Sequence, residues 1–196
     1  MRLFLAVRPA DHVVERLREL QRMLGATHPG WRWVPPSQIH LTLRFLGEVD
    51  EATELAAQSH WQRAARSVPR FRLALGGVGR FPPRGRARVL WIGVGDPDGG
   101  TALAELAERI EQATRLSGFA AERRPFHSHL TLARAGKQAP GAVPIAADAV
   151  HAPPFLVDRV VLFQSELGPT GARYTERSSF ALAPPLAGSS DADAAV

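Results

Sequence analysis

The chain has 196 residues, 45% of them hydrophobic and 22% charged, which suits one domain or two closely packed lobes with a sizeable core. It contains no cysteine, so disulfides and thiolate metal sites are excluded and a reducing compartment is expected. No apolar run approaches the roughly 18 residues of a membrane span, and "MRLFLAVRPADHV" lacks the pattern of a signal peptide. These readings point to a cytoplasmic location. The formal net charge is +5 with 24 Lys and Arg, and Lys137 is the sole lysine. Arginine suits phosphate and so an anionic partner such as RNA. An arginine-for-lysine bias over the whole chain accounts for the charge equally well, since the positive residues are spread out.

"RLFLAV" (2–7) reads as a first strand ending before Pro9. Val13, Leu17, Leu20 and Leu24 recur at helical spacing from Asp11 to about Gly25. The prolines of "HPGWRWVPP" (28–36) limit that stretch to loop or edge strand. "IHLTLRFLG" alternates as a strand, and 51–67 reads as a second helix. Strands are expected at 70–79 and 87–95, flanking the loop "RFPPRGR". "TALAELAERIEQATRLSG" is a strong amphipathic helix whose stripe is Leu103, Leu106, Ile110, Ala113 and Leu116, stopped by Gly118. Further strands follow near 129–134, 155–164 and 174–182. The end, "LAGSSDADAAV", has no periodicity and reads as a disordered tail. Residues 1–184 are thus expected to form one bilobal domain, with 185–196 outside it.

The tetrapeptide HLTL occurs twice, at His40–Leu43 and His129–Leu132. With 7 His, 22 Leu and 8 Thr in the chain, chance supplies about 0.004 copies. In a strand, His40 and Thr42 share one face while Leu41 and Leu43 anchor the other; His129 and Thr131 repeat the arrangement over Leu130 and Leu132. The duplication predicts an α+β, bilobal, pseudo-symmetric fold with two mostly antiparallel sheets flanked by helices. It also predicts two equivalent strands meeting across one cleft. Two imidazoles and two hydroxyls around one phosphorus can divide acid and base work near neutral pH. That suits phosphodiester cleavage without a metal. Dinucleotide and phosphate-loop fingerprints are absent.

These residues resemble the 2H phosphoesterases, and within them the RNA 2',3'-cyclic phosphodiesterases, also described as 2'-5' RNA ligases. The resemblance runs from "MRLFLAV" through "VPPSQIHLTLRFLGEV", "LGGVGRFPPRGRARVLWIGV" and "RPFHSHLTLAR" to "VVLFQSELGPTGARYTERSSFAL". It implies a bilobal fold with the two His-x-Thr strands facing across a cleft. It also implies hydrolysis of a ribose 2',3'-cyclic phosphate to a 2'-phosphate with no cofactor and no metal. His40 would be the proton donor to the departing 3'-oxygen, His129 the proton acceptor from water, and Thr42 and Thr131 the phosphate ligands. ATP-independent 2'-5' RNA joining, and a non-catalytic RNA-end binding module, are the alternatives. Ser128 stands where the family often has proline, a local departure before His129.

Further candidates come with plainer readings beside them. Arg134 ends "HLTLAR" and could neutralise phosphate, but strict alternation puts it opposite His129 unless a bulge intervenes. Arg44 keeps the parity of His40 and Thr42, and reads equally well as an exposed strand-end arginine. Arg80, Arg84, Arg86 and Arg88 could guide RNA, although a solvated loop is the plainer reading; of Trp31, Trp33, Phe81 and Trp91 most read as core, with one or two free to stack on bases. His127 and His129 share a face, yet two histidines do not complete a zinc site. His12, His28, His60 and His151 read as surface residues. The expected partner is RNA with a 2',3'-cyclic phosphate end, or a cyclic nucleotide. Nothing calls for a membrane or an obligate protein partner, and a monomer is expected.

Overall fold

The computed structural model describes residues 1–136, 150–168 and 171–185. Its elements run β1 (Arg2–Val7), α1 (Asp11–Thr27), β2 (Trp31–Trp33), a 3₁₀ turn (Pro36–Gln38) and β3 (Leu41–Glu48). Then come α2 (Glu51–Arg66), β4 (Phe71–Phe81), β5 (Val89–Gly95), α3 (Ala102–Leu116) and β6 (His129–Ala135). β7 (Phe155–Val157), β8 (Arg159–Gly168) and β9 (Gly171–Ala181) complete it. Local signals explain the boundaries. Asp50 caps α2 by accepting the Thr53 N–H at 2.8 Å. Gly118 ends α3 with φ 89°, a conformation that favours glycine.

The strands form one antiparallel sheet in the order β7-β4-β5-β6-β3-β1-β8-β9, with β2 paired to the edge of β6. Two halves are recognisable within it, one carrying each HLTL strand. They join where β3 meets β6 at the pair Leu41–Leu130. The stretch expected as one strand at 155–164 divides at Asp158. β7 pairs with β4 at one end of the order, while β8 pairs with β1 and β9 near the other. Adjacent residues thus serve opposite ends, and Pro69 bridges Ala183 beside them. The sheet therefore curls back on itself.

The main core lies between one sheet face and the helices. Leu3, Leu5, Val7, Leu41, Leu43, Ile92, Leu130 and Leu132 meet Val13, Leu17 and Leu20 of α1, Trp61 of α2 and Leu106 and Ile110 of α3. Trp61 is fully buried and donates from Nε1 to Thr114 Oγ1 at 3.1 Å. Leu116 departs from the expected stripe: it is 76% exposed, because α3 stops there and the last position overhangs the packed surface. Gln21 is buried and ties α1 to the sheet, donating to the carbonyls of Val34 and Leu132. No helix among the described residues is long and apolar enough to cross a membrane. Residues 186–196, most of the expected tail, lie outside the described residues.

Candidate active site on the helix-free sheet face

The leucines of both motifs point into the core, so the histidines and threonines face the other way, as alternation requires. The antiparallel register set by Leu41–Leu130 puts His40 across from Thr131, and Thr42 across from His129. The four polar side chains form a two-by-two array with approximate two-fold symmetry. All four are half-buried. The expected juxtaposition of the duplicated strands is therefore present.

Each imidazole is oriented by its own backbone. His40 Nδ1 lies 2.7 Å from the carbonyl oxygen of Gln38, and His129 Nδ1 lies 2.7 Å from that of His127. A carbonyl only accepts, so Nδ1 carries the hydrogen in both rings and Nε2 is the reactive nitrogen. Aromatic rings wall the two sides. His40 packs 4.7 Å from Phe4 and edge-on to Tyr174 at 5.1 Å. His129 packs edge-on to Phe81 at 5.2 Å and lies 6.0 Å from Trp91. A Cβ on Gly79 would collide with the Trp91 indole, so glycine is what lets the indole lie across β4.

Burial lowers the pKa of His40, and the nearby cations Arg134, His129 and Arg8 push the same way against the Gln38 carbonyl. Burial also lowers that of His129, reinforced by His127 and Arg134 and opposed by the His127 carbonyl. Arg134 thus acts on both rings. Its access comes from a bulge: Trp91 pairs with Thr131 but Leu90 with Ala133, so Leu132 is skipped. That extra residue returns Arg134, paired with Val89, to the face of Thr131. Arg32 on β2 is its cross-strand neighbour and shares that face.

Arg44 shows the opposite outcome. Ala6 pairs with Thr42 but Leu5 with Arg44, so a bulge at Leu43 carries Arg44 to the helix side. There its Nε lies 2.6 Å from Glu111 Oε2 and its Nη1 3.5 Å from Glu122 Oε2, and its Nη2 donates to the Ala120 carbonyl. Arg44 ties α3 and the following segment to the sheet, so it is neither beside His40 nor an exposed strand-end arginine.

Phe81 and Trp91 lie on the histidine face, whereas Trp31 is buried in a separate cluster with Ala87, Leu90 and Ala133. Trp33 packs against that cluster too. His127 is exposed, with its ring 4.8 Å from Trp91 and 5.8 Å from His129. Arg84, Arg86 and Arg88 are exposed around the loop that follows Phe81, and Arg80 donates to the Gly85 carbonyl at 3.2 Å. His12, His28 and His60 serve elsewhere, on Pro153 O, Leu24 O and Ser117 Oγ. Sequence reasoning missed Phe4, Phe163, Tyr174 and Arg8. Period-two alternation of "RLFLAVR" was the available signal for Phe4 and Arg8, but only strand pairing shows that their face is the histidine face.

A curled α+β sheet presenting two His-x-Thr strands side by side defines a 2H-type phosphoesterase scaffold. The comparisons agree. The family model described as LigT-like phosphoesterase matches residues 7–91 and 93–174. An RNA 2',3'-cyclic phosphodiesterase of Thermus thermophilus is 37% identical over 190 residues, covering 93% of this chain and 90% of its own. One from Thermotoga maritima is 33% identical, covering 89% and 91%. Among solved structures, a Thermus thermophilus protein superposes with a TM-score of 0.81 at 33% identity, covering 94% of this chain and 99% of that one. E. coli LigT complexed with 3'-AMP superposes with a TM-score of 0.75 at 30% identity, covering 92% and 97%. The chain belongs to the LigT-like phosphoesterase family.

Proposed function

We propose that the protein hydrolyses the 2',3'-cyclic phosphate of an RNA or nucleotide end to a 2'-phosphate, with His40 as general acid and His129 as general base. The observation that carries this reading is the paired array: two imidazoles, each with Nδ1 engaged and Nε2 available, on a sheet face that also holds two threonines. The names of the Thermus and Thermotoga relatives support the substrate class. Neutral His129 takes a proton from water as its oxygen attacks phosphorus. The P–O3' bond breaks, and the His40 imidazolium gives its proton to O3'. Thr42 and Thr131 donate to the non-bridging oxygens, and Arg134 offsets the charge that accumulates there. Solvent exchange then returns both rings to their starting states. No step in this account needs a metal or a nucleotide cofactor.

The discriminating experiment measures turnover and binding together for His40→Ala and His129→Ala. Each general acid or base contributes about 10²–10⁴-fold, so each variant is expected to lose at least a hundredfold in kcat while still binding a 2',3'-cyclic phosphate RNA. Full binding with no turnover by the unaltered protein would instead make it an RNA-end binding module. Accumulation of joined strands with a 5'-hydroxyl RNA would identify 2'-5' ligation as its activity.

A further inference from the structure

The two halves match at the threonines and differ beside the histidines. In the half containing β6, the residue registered across from His129 is Gly93 on β5. In the other half the last registered pair of β1 and β3 is Val7–Leu41, so the next positions along the two strand directions are Arg8 and His40. Phe4 and Ala6 lie on the helix-free face, and Arg8 continues their alternation. A glycine backed by Gly77 and the Trp91 ring flanks one histidine and brings no charge there, and an arginine flanks the other.

Arg8 is held for use along the face rather than consumed by the fold. Its Cζ lies 5.0 Å from the Phe163 ring centroid, and Phe163 lies 6.2 Å from His40. Its nearest carboxylate oxygen is Glu176 Oε2 at 3.9 Å, too far for a hydrogen bond. Half of the side chain is exposed, 52%. Beyond it opens a cavity of about 200 Å³ lined by Arg8, Arg159, Val161, Glu176 and Leu156, among others. Arg159 is committed to Asp158 through two hydrogen bonds, of 3.0 and 2.9 Å. Arg8 is therefore the more available cation of the two.

We infer that Arg8 forms a subsite for the phosphate one nucleotide upstream of the reacting end, so that the enzyme prefers 5'-phosphorylated or oligonucleotide cyclic phosphates over the bare cyclic nucleoside. The inference rests on the proposed function and on His40 as the acid. The ribose bears both the leaving 3'-oxygen and the 5'-oxygen, so the chain leaving that ribose starts from the His40 flank. A guanidinium standing across from His40 and stacked on Phe163 meets it with charge, and charge-assisted contacts of this type are the strong ones. Glu176 competes with the phosphate for the same guanidinium.

The test compares kcat/KM for 2',3'-cyclic AMP with that for its 5'-phosphorylated form, in the unaltered protein and in variants. Unaltered protein should favour the 5'-phosphorylated substrate by about tenfold. Arg8→Ala should abolish that preference, Arg8→Lys should retain part of it, and Glu176→Gln should increase it. Arg63→Ala, an exposed arginine on α2, should leave the ratio alone and so controls for net charge. Equal losses on both substrates in Arg8→Ala would place Arg8 on the reacting phosphate and overturn the subsite. A ratio of one in the unaltered protein would overturn it too, with the proposed hydrolysis intact. Failure to hydrolyse either substrate would remove the proposed function and this inference together.

Discussion

His40 and His129 hold their rings by the same device: each Nδ1 meets, at 2.7 Å, the carbonyl oxygen of the residue two positions upstream. The pseudo-symmetry of the fold thus reaches the tautomers. Both rings present Nε2, and both are free to gain or lose a proton there without rotating. Nitrogen-15 NMR of histidine-labelled protein should show Nδ1 protonated throughout and Nε2 as the titrating nitrogen in both residues. A neutral Nδ1 with protonated Nε2 at either ring would contradict the arrangement.

The pH profile follows from the direction of the two shifts. Burial, then nearby positive charge, lowers both imidazoles below the ordinary value, near 6.5. With the proposed roles the productive free enzyme carries one proton on the pair, so kcat/KM should be bell-shaped with its maximum below about pH 6.5. A bound cyclic phosphate is an anion beside both rings and favours the imidazolium. The kcat profile should therefore sit at higher pH than that of kcat/KM. A flat profile from about pH 5 to 9 with chemistry limiting the rate would count against the paired roles.

Arg134 and Arg44 lie on opposite faces of the sheet although each follows its own motif closely. Arg134→Ala should reduce kcat/KM by about ten- to a hundredfold through loss of a charge-assisted contact. It should also move the bell to higher pH, since the lost cation lowers both histidines. Arg44→Ala should lower Tm, because Glu111 loses its ion pair and Glu122 keeps only Arg124, without moving the bell. Kinetics across pH with parallel thermal melts checks both.

Leu130 links stability to the site. It is fully buried and forms with Leu41 the pair that joins the two halves. Leu130→Ala should cost about 2–5 kcal/mol and lower Tm by about 5–15 °C. In the folded fraction it should also reduce kcat, because the two histidine strands lose their shared anchor. Calorimetry and single-turnover rates of the same preparation measure the two effects.

Much of this was legible because alternation is a local property. The residues of "IHLTLRFLG" and "HSHLTLAR" state which side chains share a face, and the leucines between them fix which face is buried. What alternation cannot show is where a strand inserts an extra residue. The bulge at Leu43 turned Arg44 away from the site, and the one at Leu132 brought Arg134 into it. Neither is marked by glycine or proline. Strand order is equally silent in one dimension. Phe163, Tyr174 and Arg8 reach His40 through the neighbours β1, β8 and β9, whose pairing depends on how the sheet curls. The break at Asp158 escaped for the same reason, since apolar residues continue on both sides while the chain passes from one end of the sheet order to the other.

The most direct measurement is product identification by phosphorus NMR, using a short RNA with a 2',3'-cyclic phosphate end and excess EDTA. A terminal 2'-phosphate is expected with the unaltered protein and none above background with His40→Ala or His129→Ala. A 3'-phosphate would reverse the leaving-group assignment, and loss of the reaction in EDTA with recovery on adding a divalent metal would contradict the metal-free two-histidine mechanism.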